Sequence, residues 1–273
     1  MVSAENCRLR YAEQIVGIVG VDDPRIRRAF ASVPREDFLP PPPWTVISQG
    51  VATQTGNIAD IYDNVLVAID RARGINNGEP ALHAAWIGAV SPQPGETLIH
   101  VGAGTGYYTA LLAHLVELGG RVEAYEYESD LAAWACDNLR DYPQVTVHAA
   151  SAFGRPLPGA DVIYVNAGVT APDAGWLQAL LRGGRLIFPW QPHQGWGTTM
   201  LVTRTGRGYR AKQLMNVGFI SCSGETTRSP GGPRPSEADI AATRSVWPVS
   251  EREPDRTATA VYDAVWFSAD SVE

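Results

Sequence analysis

Cysteine is scarce. Cys7, Cys136 and Cys222 lie far apart and form no CxxC pair, so neither a disulfide framework nor a metal knuckle is expected, and isolated thiols suit a reducing compartment. Basic residues are outnumbered, 22 Lys and Arg against 29 Asp and Glu, for a formal charge of −7. That balance creates no broad positive field for phosphate backbones or anionic lipid. Neither nucleic acid nor a membrane is expected as a partner. No uninterrupted apolar segment approaches the roughly 20 residues that span a bilayer. The N-terminus has no basic stretch leading into an apolar run, so no signal peptide is expected, and the reading is of a soluble, cytoplasmic protein. No His, Cys or Asp cluster has metal-ligand spacing, and no metal requirement is expected.

What is present suits a folded enzyme. A hydrophobic fraction of 45% over 273 residues supports a sizeable core and either one large α/β domain or a domain with an appendage. From Asn6 to Phe30, Tyr11, Ile15, Ile18 and Val19 recur at helical spacing, and Asp23-Pro24 suits the start of a second helix. Leu39-Pro40-Pro41-Pro42-Pro43-Trp44 reads as a stiff extended surface connector. From Thr97 onward strand-like and helix-like segments alternate. Strands are expected at 97–101, 121–125, 145–149, 161–165 and 185–189, and helices over 110–116, 131–139 and 176–181, the last closed by Gly183-Gly184. The alternation predicts a Rossmann-like α/β fold, a mostly parallel sheet with helices on both faces. Residues 199–203 and 211–219 read as antiparallel edge strands. Ser229 to Pro235 reads as a linker, followed by a short helix over 237–244 and a strand-like stretch over 257–267. Three parts follow: N-terminal helices with a substrate-side segment (1–80), a cofactor-binding domain (81–223) and a C-terminal extension (224–273). The extension is free to cap the site, extend the sheet edge or mediate dimerisation, and the sequence specifies no oligomeric state.

The chemistry concentrates where the first of these strands ends. Gly102-Ala103-Gly104-Thr105-Gly106 runs from a strand into a helix, a turn in which backbone approaches a ligand closely and helix N–H groups remain free. A dinucleotide fingerprint wants its third glycine five residues after the first, where Tyr107 stands. Gly-x-Gly-x-Gly instead fits a loop holding the amino-acid moiety of S-adenosylmethionine. Glu126, about 20 residues on at the end of the next strand, is placed to accept both hydrogen bonds of a ribose diol. Glu128 reads as a solvated helix-start charge. An NAD-dependent hydride-transfer enzyme is the competing reading.

The chain resembles the protein-L-isoaspartate O-methyltransferases from about Asp22 to Phe219. The resemblance is carried by Val33-Pro34-Arg35-Glu36-Asp37-Phe38-Leu39-Pro40, by Tyr62-Asp63 ahead of Ala68-Ile69, by His100-Val101-Gly102-Ala103-Gly104-Thr105-Gly106-Tyr107, and by Leu180-Leu181-Arg182-Gly183-Gly184-Arg185-Leu186. It implies a methyltransferase domain with added N-terminal helices and an edge hairpin, S-adenosylmethionine as cofactor and a carboxylate as methyl acceptor. Where the family carries Thr-Ile-Ser-x-Pro, this sequence has Asn76-Asn77-Gly78-Glu79-Pro80, so the serine position is Gly78. The family's acidic residue two before the first loop glycine is His100, its acidic residue after the third strand is Ser151, and its Thr-Ala-Ala after the fourth is Asn166-Ala167-Gly168.

Expected cofactor contacts are Gly102, Ala103, Gly104, Thr105, Gly106, Glu126, Tyr127, Ser151, Ala152 and Asn166. Asn76, Asn77 and Asn166 are the expected catalytic residues, with Tyr62, Asp63, His83 and His193 as further acceptor-side candidates. Asn77-Gly78 equally suits a turn, and His83 suits a packed helix. Trp44, Trp86, Trp190 and Trp196 could wall an aromatic acceptor, although core packing accounts for most tryptophans. Methyl transfer to a carboxylate needs alignment and water exclusion rather than a general base. The leading reading is therefore an O-methyltransferase acting on a carboxylate of a small molecule or peptide. Isoaspartyl-protein repair and a non-catalytic cofactor-binding scaffold are the alternatives.

Overall fold

The fold begins with helices whose ends are written in the sequence. In the computed structural model, which describes residues 3–193, 195–225 and 234–272, Ser3 caps α1 (Ala4–Val19) and Gly20 ends it in a left-handed conformation. Asp23 caps α2 (Pro24–Ser32), accepting from the Arg25 N–H, with Pro24 in the first turn. A 3-10 turn over Arg35–Phe38 follows. Leu39 and Trp44 are buried, and the Trp44 indole donates to the Pro40 carbonyl at 2.8 Å. The expected surface connector is therefore pinned at both ends, with prolines 41–43 exposed between them.

A small antiparallel sheet, unforeseen in the sequence, occupies the substrate-side segment. It comprises β1 (Trp44–Ser48), β2 (Val51–Thr55), β3 (Leu66–Asp70) and β4 (Ile75–Asn76) in the order β2-β1-β3-β4. The four-residue α3 (Ile58–Ile61) lies between β2 and β3. α4 (Pro80–Val90) then leads into the main sheet.

That main sheet alternates as expected: β5 (Thr97–Val101), α5 (Tyr107–Val116), β6 (Arg121–Glu126), α6 (Ser129–Asn138), β7 (Val145–Ala149), β8 (Ala160–Val165), α7 (Ala174–Ala179), β9 (Leu180–Trp190), β10 (Gly197–Arg204) and β11 (Tyr209–Val217). β5, β6, β7, β8 and β9 are parallel, whereas β10 and β11 are antiparallel. α7 ends at Ala179, before the expected Gly183-Gly184 closure. Those glycines lie inside the longer β9, where Gly183 takes φ +83°. After α8 (Glu237–Ala242), the strand-like stretch over 257–267 splits into β13 (Ala258–Val261) and β14 (Val265–Ser268), and β12 (Ser245–Pro248) precedes them. All three join the same sheet, whose order is β13-β14-β12-β11-β10-β9-β8-β5-β6-β7. The expected linker over 229–235 lies mostly outside the described residues.

Alternation along the buried strands builds one core on each face. Leu98, Val122, Val162 and Tyr164 face a cluster with α1, α2, α4 and α5. Ile99, Val101, Ile163, Val165 and Phe188 face α7 and the C-terminal strands. The chain goes outward from β5 through β6 to β7, then returns to β8 on the other side. The reversal leaves a crevice at the carboxyl ends of β5, β6 and β8, where open α/β sheets bind ligands.

Candidate active site

The crevice is a cleft of about 550 Å³ lined by residues that close β5 (Val101, Gly102, Gly104), β6 (Glu126, Tyr127, Glu128), β7 (Ala150, Ser151, Ala152) and β8 (Asn166, Ala167). Such a volume lies within the ordinary range for small-molecule sites. Asn76, Gly78, Glu79 and His83 line its other end.

The glycine loop is shaped by close contact. Gly102 takes φ +78° and packs so tightly that a Cβ there would stand 3.2 Å from the Asn166 carbonyl oxygen. Gly106, at φ +98°, has no room beside Leu139. Of the five loop residues, Gly102 and Gly104 face the cleft. Ala103 and Thr105 line an adjoining void of about 30 Å³, and the Thr105 hydroxyl donates to the Phe38 carbonyl at 2.6 Å. Ala103, Thr105 and Gly106 thus shape the turn rather than offer atoms to the cleft.

Glu126 is buried, and both carboxylate oxygens are engaged. One accepts from the Gly104 N–H at 2.7 Å, the other from the Glu128 N–H at 3.0 Å. Burial raises its pKa against the lowering effect of these N–H groups. A carboxylate has about four acceptor positions, so two oxygens holding one N–H each retain capacity for a diol. Tyr127 is half exposed and packs against Gly224, while the Ser151 hydroxyl donates to the Gly224 carbonyl at 3.1 Å.

One wall was not anticipated. Residues 218–223 line the cleft beyond β11. Gln191 holds Phe219 through both its amide oxygen and nitrogen, at 2.6 and 3.2 Å. Cys222 N–H donates to the Gly168 carbonyl at 2.8 Å, and Glu225 accepts from the Thr170 N–H at 2.8 Å. Burial, with Glu225 and Glu126 nearby, pushes the Cys222 thiol up to about 12. No sequence pattern marked this segment as a wall, because its grip is exerted by scattered polar partners.

Several expected acceptor-side residues lie elsewhere. Asn77 is buried beneath the cleft, where its carboxamide oxygen accepts from Arg35 and from the Val67 N–H, both at 3.0 Å. Arg35 is fully buried and also donates to the carbonyls of Ile61, Asp63 and Val65. The Arg35-containing motif thus fastens the small sheet to the N-terminal helices. The Tyr62 hydroxyl bonds to Glu36 and accepts from the Arg35 N–H, and Asp63 accepts from Gln14 at 2.6 Å; neither lines the cleft. His193 meets the Pro235 carbonyl at 2.7 Å. Trp44, Trp86 and Trp190 are core residues and Trp196 is exposed, so none walls the cleft. His100 is buried beneath the loop against Thr109, at 2.8 Å, with its pKa driven down to about 3 by burial. Asn76 and Asn166 do line the cleft, with the Asn76 side chain accepting from the Gly78 N–H at 2.9 Å.

The model of the Protein-L-isoaspartate(D-aspartate) O-methyltransferase family matches residues 12–227. The chain belongs to this family. It is accordingly an S-adenosylmethionine-dependent methyltransferase. Among its relatives, a protein-L-isoaspartate O-methyltransferase of Aeropyrum pernix is 33% identical over 228 residues, 80% of each chain. Protein-L-isoaspartate O-methyltransferase 2 of an Anaeromyxobacter species is 29% identical over 221 residues, 79% of this chain and 83% of that one. A solved protein-L-isoaspartate O-methyltransferase covers 95% of this chain and 88% of its own at TM-score 0.65 and 20% identity. A Plasmodium falciparum structure described as such an enzyme with S-adenosyl-L-homocysteine covers 80% and 99% at TM-score 0.65 and 18% identity. Both share the fold. The family's cofactor fits the residues present: a glycine-walled cleft, a buried carboxylate with free acceptor positions, and a helix N-terminus beside it.

Proposed function

We propose that this methyltransferase acts on the free α-carboxylate of isoaspartyl residues in peptides and proteins. The match of the family model across residues 12–227 carries the reading and favours it over an unspecified small-molecule carboxylate. The cofactor supplies a sulfonium methyl group, so a carboxylate oxygen gains the new bond to carbon as the bond to sulfur breaks, giving a methyl ester and a thioether. A carboxylate is already anionic at neutral pH, so no residue has to remove a proton.

The chain's own groups orient and enclose. Gly102 and Gly104 let backbone approach the amino-acid end of the cofactor, Glu126 takes the ribose hydroxyls, and Tyr127, Ser151 and Ala152 flank the adenine end. Residues 218–223 shield that end from water. Asn76 and Asn166 bound the space between cofactor and acceptor. Leu66, Ile75, Leu82 and Phe219 also line the cleft and give the acceptor apolar neighbours, beside which a displacement proceeds with less competing water.

The test is direct. Protein incubated with labelled S-adenosylmethionine and an isoaspartyl peptide should form a base-labile methyl ester that the aspartyl isomer does not; no ester sinks the proposal. A second reading, another carboxylate as acceptor, is favoured by one observation: glycine stands where the family has serine, in a conformation with φ +77°. Ester formation on other carboxylates, with the isoaspartyl peptide inert, would select it.

A further inference from the structure

Gly78 has no space for a side chain because another group already fills it. A Cβ built there would lie 2.5 Å from His83 Nε2, 3.0 Å from His83 Cδ2 and 3.2 Å from Tyr108 Cε2. His83 is fully buried, yet with Gly78 it lines the acceptor end of the cleft. Its ring stacks on Tyr108 at 3.6 Å between centroids, and the Tyr108 hydroxyl donates to the Gly78 carbonyl at 3.3 Å. Plane and position are therefore fixed from two sides.

The proton on this ring can be assigned by elimination. His83 Nδ1 meets the Tyr164 hydroxyl at 2.7 Å, and among the described residues that hydroxyl has no other partner. Tyr164 is buried, with a pKa well above its usual value, so it keeps its proton. Burial drives the His83 pKa well below its usual value, so the ring is neutral. A protonated phenol with one partner donates to it, Nδ1 accepts, and the single ring hydrogen resides on Nε2. Nε2 has no hydrogen-bond partner among the described residues. A buried donor without an acceptor is costly unless something supplies one.

We propose that the Nε2–H of His83 donates a hydrogen bond to the acceptor carboxylate, in place of the hydroxyl that residue 78 lacks, with Tyr164 as the positioning residue that holds the tautomer. The inference rests on a carboxylate acceptor. A neutral donor suits that role, since it orients the oxygen without adding a charge that would blunt its nucleophilicity.

Imidazole-labelled protein saturated with S-adenosylhomocysteine gives the decisive readout. The nitrogen resonances of His83 should report the Nε2–H tautomer, and an isoaspartyl peptide should shift Nε2 selectively. The Nδ1–H tautomer overturns the proposal whether or not any peptide is methylated, as does a bound peptide that leaves Nε2 unmoved. A peptide that neither binds nor is methylated fails the isoaspartyl reading instead; the Nε2 response to a panel of other carboxylates then decides for or against His83. In kinetics, His83→Leu, which removes the donor, should raise KM for the acceptor about tenfold or more while Kd for S-adenosylhomocysteine and kcat stay within about threefold. Tyr164→Phe should release the tautomer and raise the same KM severalfold. Gly78→Ser alone should lower activity, because its Cβ collides with His83. Gly78→Ser combined with His83→Ala should recover acceptor affinity over His83→Ala alone, and no recovery counts against the substitution of one donor for the other.

Discussion

Replacing Glu126 by glutamine tests the cofactor end of the cleft while keeping the side chain's shape. The carboxylate accepts two backbone N–H groups and is assigned two ribose hydroxyls. An amide retains one oxygen acceptor and presents an NH2 group to donors it cannot satisfy. Hydrogen bonds to a charged group contribute about 1.5–3 kcal/mol, so losing the charged acceptor should weaken S-adenosylhomocysteine binding roughly ten- to a hundredfold. Isothermal titration measures this directly, and calorimetric Tm separates it from unfolding. The pH response adds a sign. Burial raises the folded-state pKa of Glu126 above 4.5, so on acidification it protonates earlier than an exposed glutamate. Wild-type affinity should therefore fall as pH drops through that raised value. Stability moves oppositely at this residue. A carboxyl with a raised folded pKa favours the folded state below its unfolded pKa and loses that contribution as pH rises through the folded one. Glu126→Gln should flatten both trends. Binding by the variant within threefold of wild type, or wild-type affinity that rises on acidification, would refute the assignment.

Other substitutions probe the scaffold. Arg35→Met should cost about 3–6 kcal/mol, because several buried acceptors lose their donor at about 1–3 kcal/mol each; calorimetry should show Tm lower by about 6 °C or more, and Arg35→Lys should rescue little, since one ammonium cannot span four acceptors. Gly102→Ala should weaken cofactor binding by at least tenfold in titration, since a Cβ meets the Asn166 carbonyl in a left-handed conformation that costs about 1–2 kcal/mol; unchanged affinity would contradict the close-packed loop. Deleting 234–272 uncovers Trp190, which stacks on Phe267 at 4.0 Å, so the shortened protein should aggregate or bind a hydrophobic dye. A monomeric truncation with wild-type Tm would show that the sheet edge needs no cover.

The parallel half of the sheet was legible because buried parallel strands read as short apolar runs: β5 and β8 fall where Thr97 to Val101 and Asp161 to Val165 indicated. The small sheet was not. β2 is Val-Ala-Thr-Gln-Thr, almost wholly exposed, and carries no alternation because neither face is buried. β12 hid behind Pro248, and the break between β13 and β14 behind the apolar Tyr262 and Ala264. In the site, the meeting of the glycine loop with Glu126 was legible, because a loop after one parallel strand and a carboxylate ending the next come together at one sheet edge, where Gly104 N–H donates to Glu126. Asn77 misled because a buried carboxamide that braces Arg35 has the same sequence signature as one that faces a ligand. Residues 218–219 read as the end of an edge strand that stops at Val217, and 220–225 gave no signal, as the wall is held by Gln191, Gly168 and Thr170, far away in sequence.

That wall has a thermodynamic corollary. It continues directly from β11, the strand on which β12 and the rest of the C-terminal edge are added. Ligand affinity and the local opening of this edge are then reciprocal quantities: whatever factor by which an open edge weakens the cofactor, a bound cofactor must suppress edge opening by the same factor. Amide exchange in β11 and β12, some distance from the sulfonium, thereby becomes a gauge of cofactor occupancy.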